Sequence, residues 1–256
     1  MDIQGPFLLL RVYLDAFATN NPLGSGSDRD KIMGFYYSCL WNLLFGAQRK
    51  TIQTLAILYQ SDIDYFGLNF CLQETMSDLK KLVNEGIFCK RTNRHIQVRV
   101  IACLGDNLEQ VHVAGMKQNF STMPHACRKC LCSRNDLNSA ERYSDIHSDN
   151  FQPRTDEMFQ NNYLEAKERR VGHINGVGNQ SLFFDFPYFS TSKQLPQCSS
   201  HDFLEGCSKV WLKIILEHLI KQNWFNWEGF ERMITSFKFR GKDADNRYIH
   251  TYLRML

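Results

Sequence analysis

The stretch QVRVIACLGDN, residues 97–107, runs from an apolar, β-branched segment into a glycine and an aspartate. An apolar run bounded by a turn residue is typical of a buried strand, which we place at Ile96–Leu104. Asp106 therefore follows the end of this strand. An earlier apolar strand over residues 7–14 presents Asp15 in the same way. Whether the two strands are neighbours decides whether their carboxylates act together.

The segments between these two strands give the expected order of elements. KIMGFYYSCLWN and KTIQTLAILYQ, residues 31–42 and 50–60, are predicted strands. Apolar residues at steps of three or four predict a helix over Tyr65–Glu85, which stops at Gly86. A short helix with Asn107 as its N-cap follows the last strand. The chain thus begins with three strands, a helix, a strand and a helix, in an α/β arrangement.

Beyond residue 118 the composition changes. Residues 119–198 are polar and irregular apart from an aromatic loop, and residues 199–256 contain two apolar helices. We therefore predict a core at 7–118, an irregular segment with a metal-binding knuckle at 119–198, and a mainly helical segment at 199–256. Four aromatic residues of the last segment are expected in a core because of their helical spacing: Trp211, Trp224, Phe225 and Trp227.

The overall composition is that of a soluble globular protein. Of the 256 residues, 43% are hydrophobic, and no apolar stretch approaches the roughly 18 residues that a membrane-spanning helix needs. The start of the chain lacks a basic leader with a long apolar run, which argues against secretion. Nine cysteines, mostly single within apolar patterns, fit a reducing compartment. The net charge of +3 is too small to identify a nucleic-acid partner.

Two aspartates at the ends of adjacent parallel strands are suited to metal-dependent phosphoryl chemistry. Carboxylates hold Mg²⁺, and two such ions about 3.5–4 Å apart clamp the attacking and leaving oxygens of a phosphodiester. Asp15 and Asp106 meet this requirement if their strands are neighbours. The alternative is that each aspartate begins a turn or caps a helix, as aspartates after strands commonly do.

The spacing Cys127-Arg-Lys-Cys130 is typical of a metal-binding knuckle. Two residues between the cysteines let both thiolates reach one Zn²⁺ from a tight turn. A redox pair or two ordinary thiols are the alternatives. A tetrahedral site needs two further ligands, and the candidates are Cys132, His125, His147, His173 and His201.

The stretch HDFLEG, residues 201–206, contains further candidate ligands. His201 is a candidate metal ligand and Glu205 a candidate late acid of an active site. Ser200 or Asp202 can instead cap a helix that begins here, which is the structural alternative.

Short basic groups are candidates for phosphate contacts. They are KERR at residues 167–170, together with Arg128, Lys129 and Arg134 around the knuckle. Clusters of this length are more often solvated surface, so they do not establish DNA binding.

Taken together, these motifs resemble those of the DDE-type transposases of eukaryotic cut-and-paste DNA transposons, with the nearest similarity to the CACTA-related branch. A more distant likeness is to the recombination-activating recombinase of vertebrates. VYLDAFATNNPLGS is similar to the family's first-aspartate segment, and IACLGDNLEQVHVAGMKQNFSTMPHACRKC to its second-aspartate segment with the CxxC after it. LPQCSSHDFLEG is similar to the helix that follows them. The similarity covers most of the chain.

The resemblance implies an RNase H-like core in which three acids hold two Mg²⁺ ions and cleave and rejoin DNA at transposon ends. Asp15 and Asp106 match the first two acids. Cys127 and Cys130 match half of a zinc site, which the family completes with two histidines just before the third acid. The resemblance also implies transposon DNA as the partner, a nuclear location and a transposase-like dimer.

The sequence departs from the family at both ends. No histidine pair followed by a glutamate occurs before Leu256, and few residues precede Phe7 where the DNA-end-binding domain is usual. Glu205 matches the insertion helix, not the third acid. We therefore expect an incomplete RNase H-like core with a truncated helical insertion, of transposase ancestry and inactive as this chain. The alternative is a non-catalytic DNA- or protein-binding factor that a host retained on this scaffold.

Overall fold

The computed structural model describes residues 7–18, 31–40, 51–119, 122–139 and 151–237. Its strands are β1 (Phe7–Ala18), β2 (Lys31–Cys39), β3 (Ile52–Tyr59), β4 (Ile87–Cys89) and β5 (Arg94–Leu104). Its helices are α1 (Gln60–Phe66), α2 (Leu68–Cys71), α3 (Gln73–Glu85), α4 (Asn107–Val113), α5 (Arg134–Ser139), α6 (Asp156–Glu168), α7 (Ser208–Lys221) and α8 (Trp227–Ser236). The described strands form one sheet in the order β3-β2-β1-β5-β4, so the predicted mixed α/β class is confirmed.

Strand β1 is the central strand of the sheet. It pairs antiparallel with β2 and parallel with β5, which confirms that the two aspartate-bearing strands are neighbours. The parallel ladder runs from Phe7↔Gln97 to Tyr13↔Leu104 and is irregular after Leu10. The three-residue strand β4, which the sequence pattern did not predict, pairs antiparallel with the start of β5.

Strand β1 is longer than predicted, which changes the setting of Asp15. The predicted strand ends just before Asp15, whereas β1 continues to Ala18 because its antiparallel ladder with β2 extends that far. Asp15 therefore pairs with Gly34 inside this ladder. Strand β5 has already ended at Leu104, so Asp15 still lies just past the end of the β1–β5 pairing.

The helix predicted over Tyr65–Glu85 is divided into shorter helices. Gly67 separates α1 from α2 with a φ of 85°, which residues with a side chain rarely adopt. The predicted stop at Gly86 is confirmed, because its amide hydrogen-bonds to the last turn of α3. Helix α3 buries Leu79 and Val83 in the core beneath the sheet.

The described residues of the segment 119–198, which was predicted to be irregular, include helices α5 and α6 and contribute to the core. Helix α6 escaped prediction because DEMFQNNYLEAKE is mostly polar, and Phe159 is its main apolar contribution to the core. The predicted aromatic loop is confirmed, with the rings of Phe183 and Phe189 stacked at 4.0 Å. The Gln194 amide donates to two carbonyl groups of β5, where that strand is irregular. The described residues up to Gln197 therefore form one compact unit.

The described residues from Cys198 onward form a second compact unit. It contains a π-helical segment, Ser199–Cys207, followed by α7 and α8, and among these helical residues only Leu216 is buried. Phe225 stacks on Phe230, with ring centroids 5.2 Å apart. Three residues predicted to be core residues are exposed instead, because two short helices cannot enclose them: Trp211, Trp224 and Trp227. No helix in the described part of the chain is long and apolar enough to cross a bilayer.

Candidate functional site

The two predicted aspartates lie at the same edge of the sheet. Each of them, Asp15 and Asp106, lies two residues beyond the last residue pair of the parallel β1–β5 ladder. The backbones stay close beyond this ladder, because a Cβ atom built on Gly105 would lie 3.0 Å from the Leu14 carbonyl oxygen. Both aspartates are partly buried. We call this pair of residues the carboxylate edge.

Asp106 is the N-cap of α4. Its Oδ1 accepts hydrogen bonds from the backbone N–H groups of Leu108 (2.8 Å) and Glu109 (2.9 Å). The prediction of Asn107 as the cap is wrong, because Asn107 is the first helical residue and its Oδ1 accepts a hydrogen bond from Arg128 at 2.8 Å. Asp106 thus has the structural role that was the alternative to metal binding. The described residues form no hydrogen bond to its Oδ2 atom, which can therefore take a second partner.

Glu109, which no sequence pattern marked, is a buried carboxylate beside the carboxylate edge. It is 4% exposed, and its Oε2 atom has no hydrogen-bond partner among the described residues. It follows Asp106 by one helical turn, and its Cβ atom would lie 3.2 Å from a Cβ atom on Gly105. An acid in a first helical turn is normally an exposed partner of the helix dipole, so no pattern in the sequence indicated that Glu109 is buried.

We expect Glu109→Gln to raise the free energy of unfolding by about 1–3 kcal/mol at neutral pH. The amide keeps the shape of the side chain and removes a carboxylate whose Oε2 atom is buried without a hydrogen-bond partner among the described residues. Urea unfolding at pH 7 in the presence of EDTA measures the change. The exposed Glu85 serves as the control, since Glu85→Gln should change stability by less than about 0.5 kcal/mol. A loss of stability in Glu109→Gln would contradict the expectation.

Cys127, Cys130 and Cys132 form the second candidate centre, the cysteine cluster. Their Sγ atoms all lie within 4.8 Å of one another, and those of Cys130 and Cys132 are 3.1 Å apart. In a tetrahedral site with Zn–S bonds of about 2.3 Å, the thiolates are about 3.8 Å apart, so small side-chain rotations suffice. The cluster therefore has the donor set and spacing to bind a metal such as zinc. Cys132 adds a third thiol to the two predicted ligands.

The backbone around the cysteine cluster is fixed by hydrogen bonds to the segment that precedes α6. The Lys129 amide donates to Cys127 Sγ at 3.4 Å, which orients that sulfur. The Leu131 amide donates to the Gln152 carbonyl, and the Arg154 amide to the Lys129 carbonyl, both at 2.9 Å. These bonds hold the thiols near one another without a disulfide.

The side chain of Arg154 closes the loop that carries the cysteine cluster. It is 4% exposed, and its Nε donates to the carbonyl oxygens of Cys127 (2.8 Å) and Cys130 (3.2 Å). Its Nη2 donates to the carbonyl oxygens of His125 (3.1 Å) and Asn175 (2.7 Å). Sequence reasoning missed this residue because an arginine in a polar segment is usually a surface residue.

Metal binding by the cysteine cluster requires loss of thiol protons. Burial, followed by the hydrogen bond with Cys132, raises the pKa of the Cys130 thiol to about 12. Burial also raises the pKa of the Cys132 thiol. Since a metal binds the thiolates, its binding releases these protons and strengthens as the pH rises.

Two of the predicted histidine ligands, His125 and His173, are described in the first unit and do not belong to the cysteine cluster. The Nδ1 atom of His125 lies 2.8 Å from the Leu131 carbonyl oxygen. The ring of His125 is not among the ligand groups that lie within 4.8 Å of one another in the cysteine cluster. His173, although described, is outside the group as well. His147 lies outside the described residues.

The predicted ligand His201 belongs to the second unit, where it is exposed. Its Nδ1 atom lies 3.0 Å from Cys198 Sγ. Burial acts to raise the pKa of the Cys198 thiol, but hydrogen bonds from His201 and the backbone outweigh it, and the pKa is lowered. The candidate acid Glu205 is also an exposed residue of this unit.

The predicted phosphate contacts divide into buried and exposed groups. Arg128 is 7% exposed, and Lys129 donates from Nζ to the Ser192 carbonyl oxygen at 3.0 Å, so both hold the structure together. Arg134 and residues 167–170 are exposed. Of the predicted phosphate contacts, these exposed residues are the most accessible to a phosphate.

A pocket of about 210 Å³ opens on the sheet face that carries Asp15. Arg11, Tyr13 and Tyr36 line it, and the two tyrosine rings are 6.3 Å apart. Alternation along β1 places Arg11, Tyr13 and Asp15 on this face and the buried residues on the other. The Arg11 guanidinium donates to Ser38 Oγ at 3.3 Å, which holds it against the sheet.

No family model and no curated protein matches the sequence. The carboxylate edge and the cysteine cluster therefore carry the functional inference.

Proposed function

We propose that the chain is a transposase-derived protein whose RNase H-like core binds DNA through a divalent cation on Asp15 and Asp106, without completing DNA cleavage. The observation that carries this proposal is the parallel pairing of β1 with β5, which brings both aspartates to one edge of the sheet. The similarity of the surrounding motifs to those of DDE-type transposases supports the ancestry.

The number of carboxylates at the carboxylate edge favours binding of one cation without cleavage of DNA. Mg²⁺ is commonly held by one or two carboxylates, several waters and substrate phosphates, and Asp106 Oδ2 and Asp15 can supply the carboxylates. Cleavage with two metals needs further ligands for the second ion. Among the described residues, the two aspartates belong to no group of three close ligand residues, and the neighbouring carboxylate of Glu109 is buried.

The pocket beside Asp15 supports DNA as the partner. Tyrosine rings and a guanidinium offer flat surfaces on which bases stack, and such stacking tolerates any base sequence. Tyr13, Tyr36 and Arg11 line this pocket on the same sheet face as Asp15. A strand whose phosphate is bound by the cation can therefore place a base over these side chains.

Cation binding is tested by calorimetric titration with Mn²⁺, which stands in for Mg²⁺. We expect Asp15→Asn and Asp106→Asn each to weaken Mn²⁺ binding by at least about 10-fold, because each removes a charged oxygen ligand. Asparagine caps helices as well as aspartate does, so Asp106→Asn leaves the start of α4 intact. Equal Mn²⁺ affinity in the three proteins would exclude the proposed site.

Cleavage is tested separately with supercoiled plasmid DNA in Mg²⁺ or Mn²⁺. We expect DNA binding that depends on the cation and on both aspartates, with no nicked product. Nicking that disappears in both Asp→Asn variants would show instead that the chain is an active nuclease.

A second candidate function is a non-catalytic scaffold that binds a protein partner. The observation that favours it is the apolar surface of α7, where five residues are between 45% and 63% exposed: Val210, Trp211, Leu212, Ile214 and Ile215. Apolar surface of this kind commonly marks a protein interface. This candidate predicts no cation binding at the carboxylate edge, so the same titration separates the two functions.

A further inference from the structure

Arg128 lies between the cysteine cluster and the carboxylate edge. It is the first of the two residues between Cys127 and Cys130, and it is 7% exposed. Its Nη1 donates to Asn107 Oδ1 at 2.8 Å. Its Nη2 donates to two oxygens of residues 196–197, both at 2.8 Å. One guanidinium therefore joins the metal-binding loop to the first residue of α4.

We propose that Arg128 is a positioning residue through which metal binding at the cysteine cluster fixes Asp106, which rests on the proposed role of Asp106 as a cation ligand. A metal on Cys127 and Cys130 makes the turn between them rigid, and Arg128 belongs to that turn. Its planar guanidinium, held by three oxygens, transmits the position of the turn to Asn107.

The hydrogen bonds next to Asn107 show which measurable property the coupling should change. Asp106 caps α4 because its side chain accepts hydrogen bonds from the backbone N–H groups of Leu108 and Glu109. The hydrogens of these two N–H groups therefore exchange with solvent only when the cap opens. A fixed Asn107 keeps the cap closed. The exchange rates of the two amides therefore report directly on the order of Asp106.

The neighbouring Lys129 provides a matched control. It lies in the same two-residue spacer, but its Nζ donates its hydrogen bond to the Ser192 carbonyl oxygen, whereas Arg128 donates to Asn107 of α4. If the coupling passes through Arg128, Lys129→Gln leaves it unchanged. A general loosening of the turn would affect both variants alike.

The experiment measures hydrogen exchange of the full chain over residues 104–113, with one equivalent of Zn²⁺ or with EDTA, and without Mg²⁺ or DNA. We expect Zn²⁺ to slow exchange of the Leu108 and Glu109 amides at least about 10-fold in the unaltered chain and in Lys129→Gln. Arg128→Gln should still bind Zn²⁺ but lose this slowing. Slowing that persists in Arg128→Gln, or that is lost in Lys129→Gln as well, would overturn the proposal.

A second variant covers the case in which Arg128→Gln does not fold. Asn107→Ala removes one acceptor and leaves the bonds from Arg128 to residues 196–197, so the loop stays attached. We expect the same loss of Zn²⁺-dependent slowing, and its persistence would overturn the coupling. Because neither Mn²⁺ nor DNA enters this measurement, its outcome is separate from the test of cation binding.

Discussion

Replacing Cys132 with serine is expected to weaken zinc binding by more than about 100-fold. Mutating a residue that only hydrogen-bonds to a metal ligand already lowers metal affinity about 10–100-fold, and losing a thiolate ligand costs more. Cys132 is 5% exposed, and its sulfur lies 3.1 Å from that of Cys130. Structural zinc contributes about 10–16 kcal/mol of binding free energy in small zinc domains. The same variant should therefore lose any rise in melting temperature that zinc produces.

Zinc content per chain after dialysis, with competition against a chromophoric chelator, measures this effect. Cys89→Ser, in β4, should keep its zinc, since Cys89 is not among the clustered thiols. His125→Ala should also keep it, because that ring bonds to a carbonyl outside the ligand group. Full zinc binding in Cys132→Ser, with none in Cys127→Ser, would mean that another residue is the third ligand.

The sequence was sufficient to predict secondary-structure elements that are long, apolar and buried on at least one face. The apolar runs of β1 and β5 predicted both strands, and the RNase H-like core that the resemblance implies has them as parallel neighbours, as they are here. Strand β4 has three residues and little burial, and the mostly polar α6 buries few apolar side chains, so neither carries a detectable pattern. Their places depend on pairing with β5 and on packing against the core.

The candidate site was predictable where spacing alone brings ligands together. The CxxC spacing predicted the proximity of Cys127 and Cys130, and Cys132 follows within two residues. The burial of Glu109 and Arg154 depends on residues far away in the chain, which no local pattern encodes. The cap on α4 was misplaced because Asn107 and the preceding aspartate are equally good capping residues.

Replacing Arg154 with glutamine is expected to lower the free energy of unfolding by about 3–5 kcal/mol. Hydrogen bonds from charged groups contribute about 1.5–3 kcal/mol each without adding fully, and the change leaves buried carbonyl groups without donors. Four carbonyl oxygens lose their partner, three of them in the loop that carries the cysteine cluster. Zinc affinity should fall as well, because that loop no longer holds its thiols together.

The shape of the guanidinium makes this prediction specific. Arg154→Lys keeps the charge but supplies a single ammonium, which cannot reach carbonyl groups on opposite sides of the loop, so it should recover less than half of the loss. Arg169→Gln is the control, since Arg169 is an exposed partner of Glu165 and should contribute about 0–1 kcal/mol. Urea unfolding in EDTA measures all three variants. If Arg154→Gln lost less than about 1 kcal/mol, water would be replacing the guanidinium, and the loop would not depend on Arg154 for its shape.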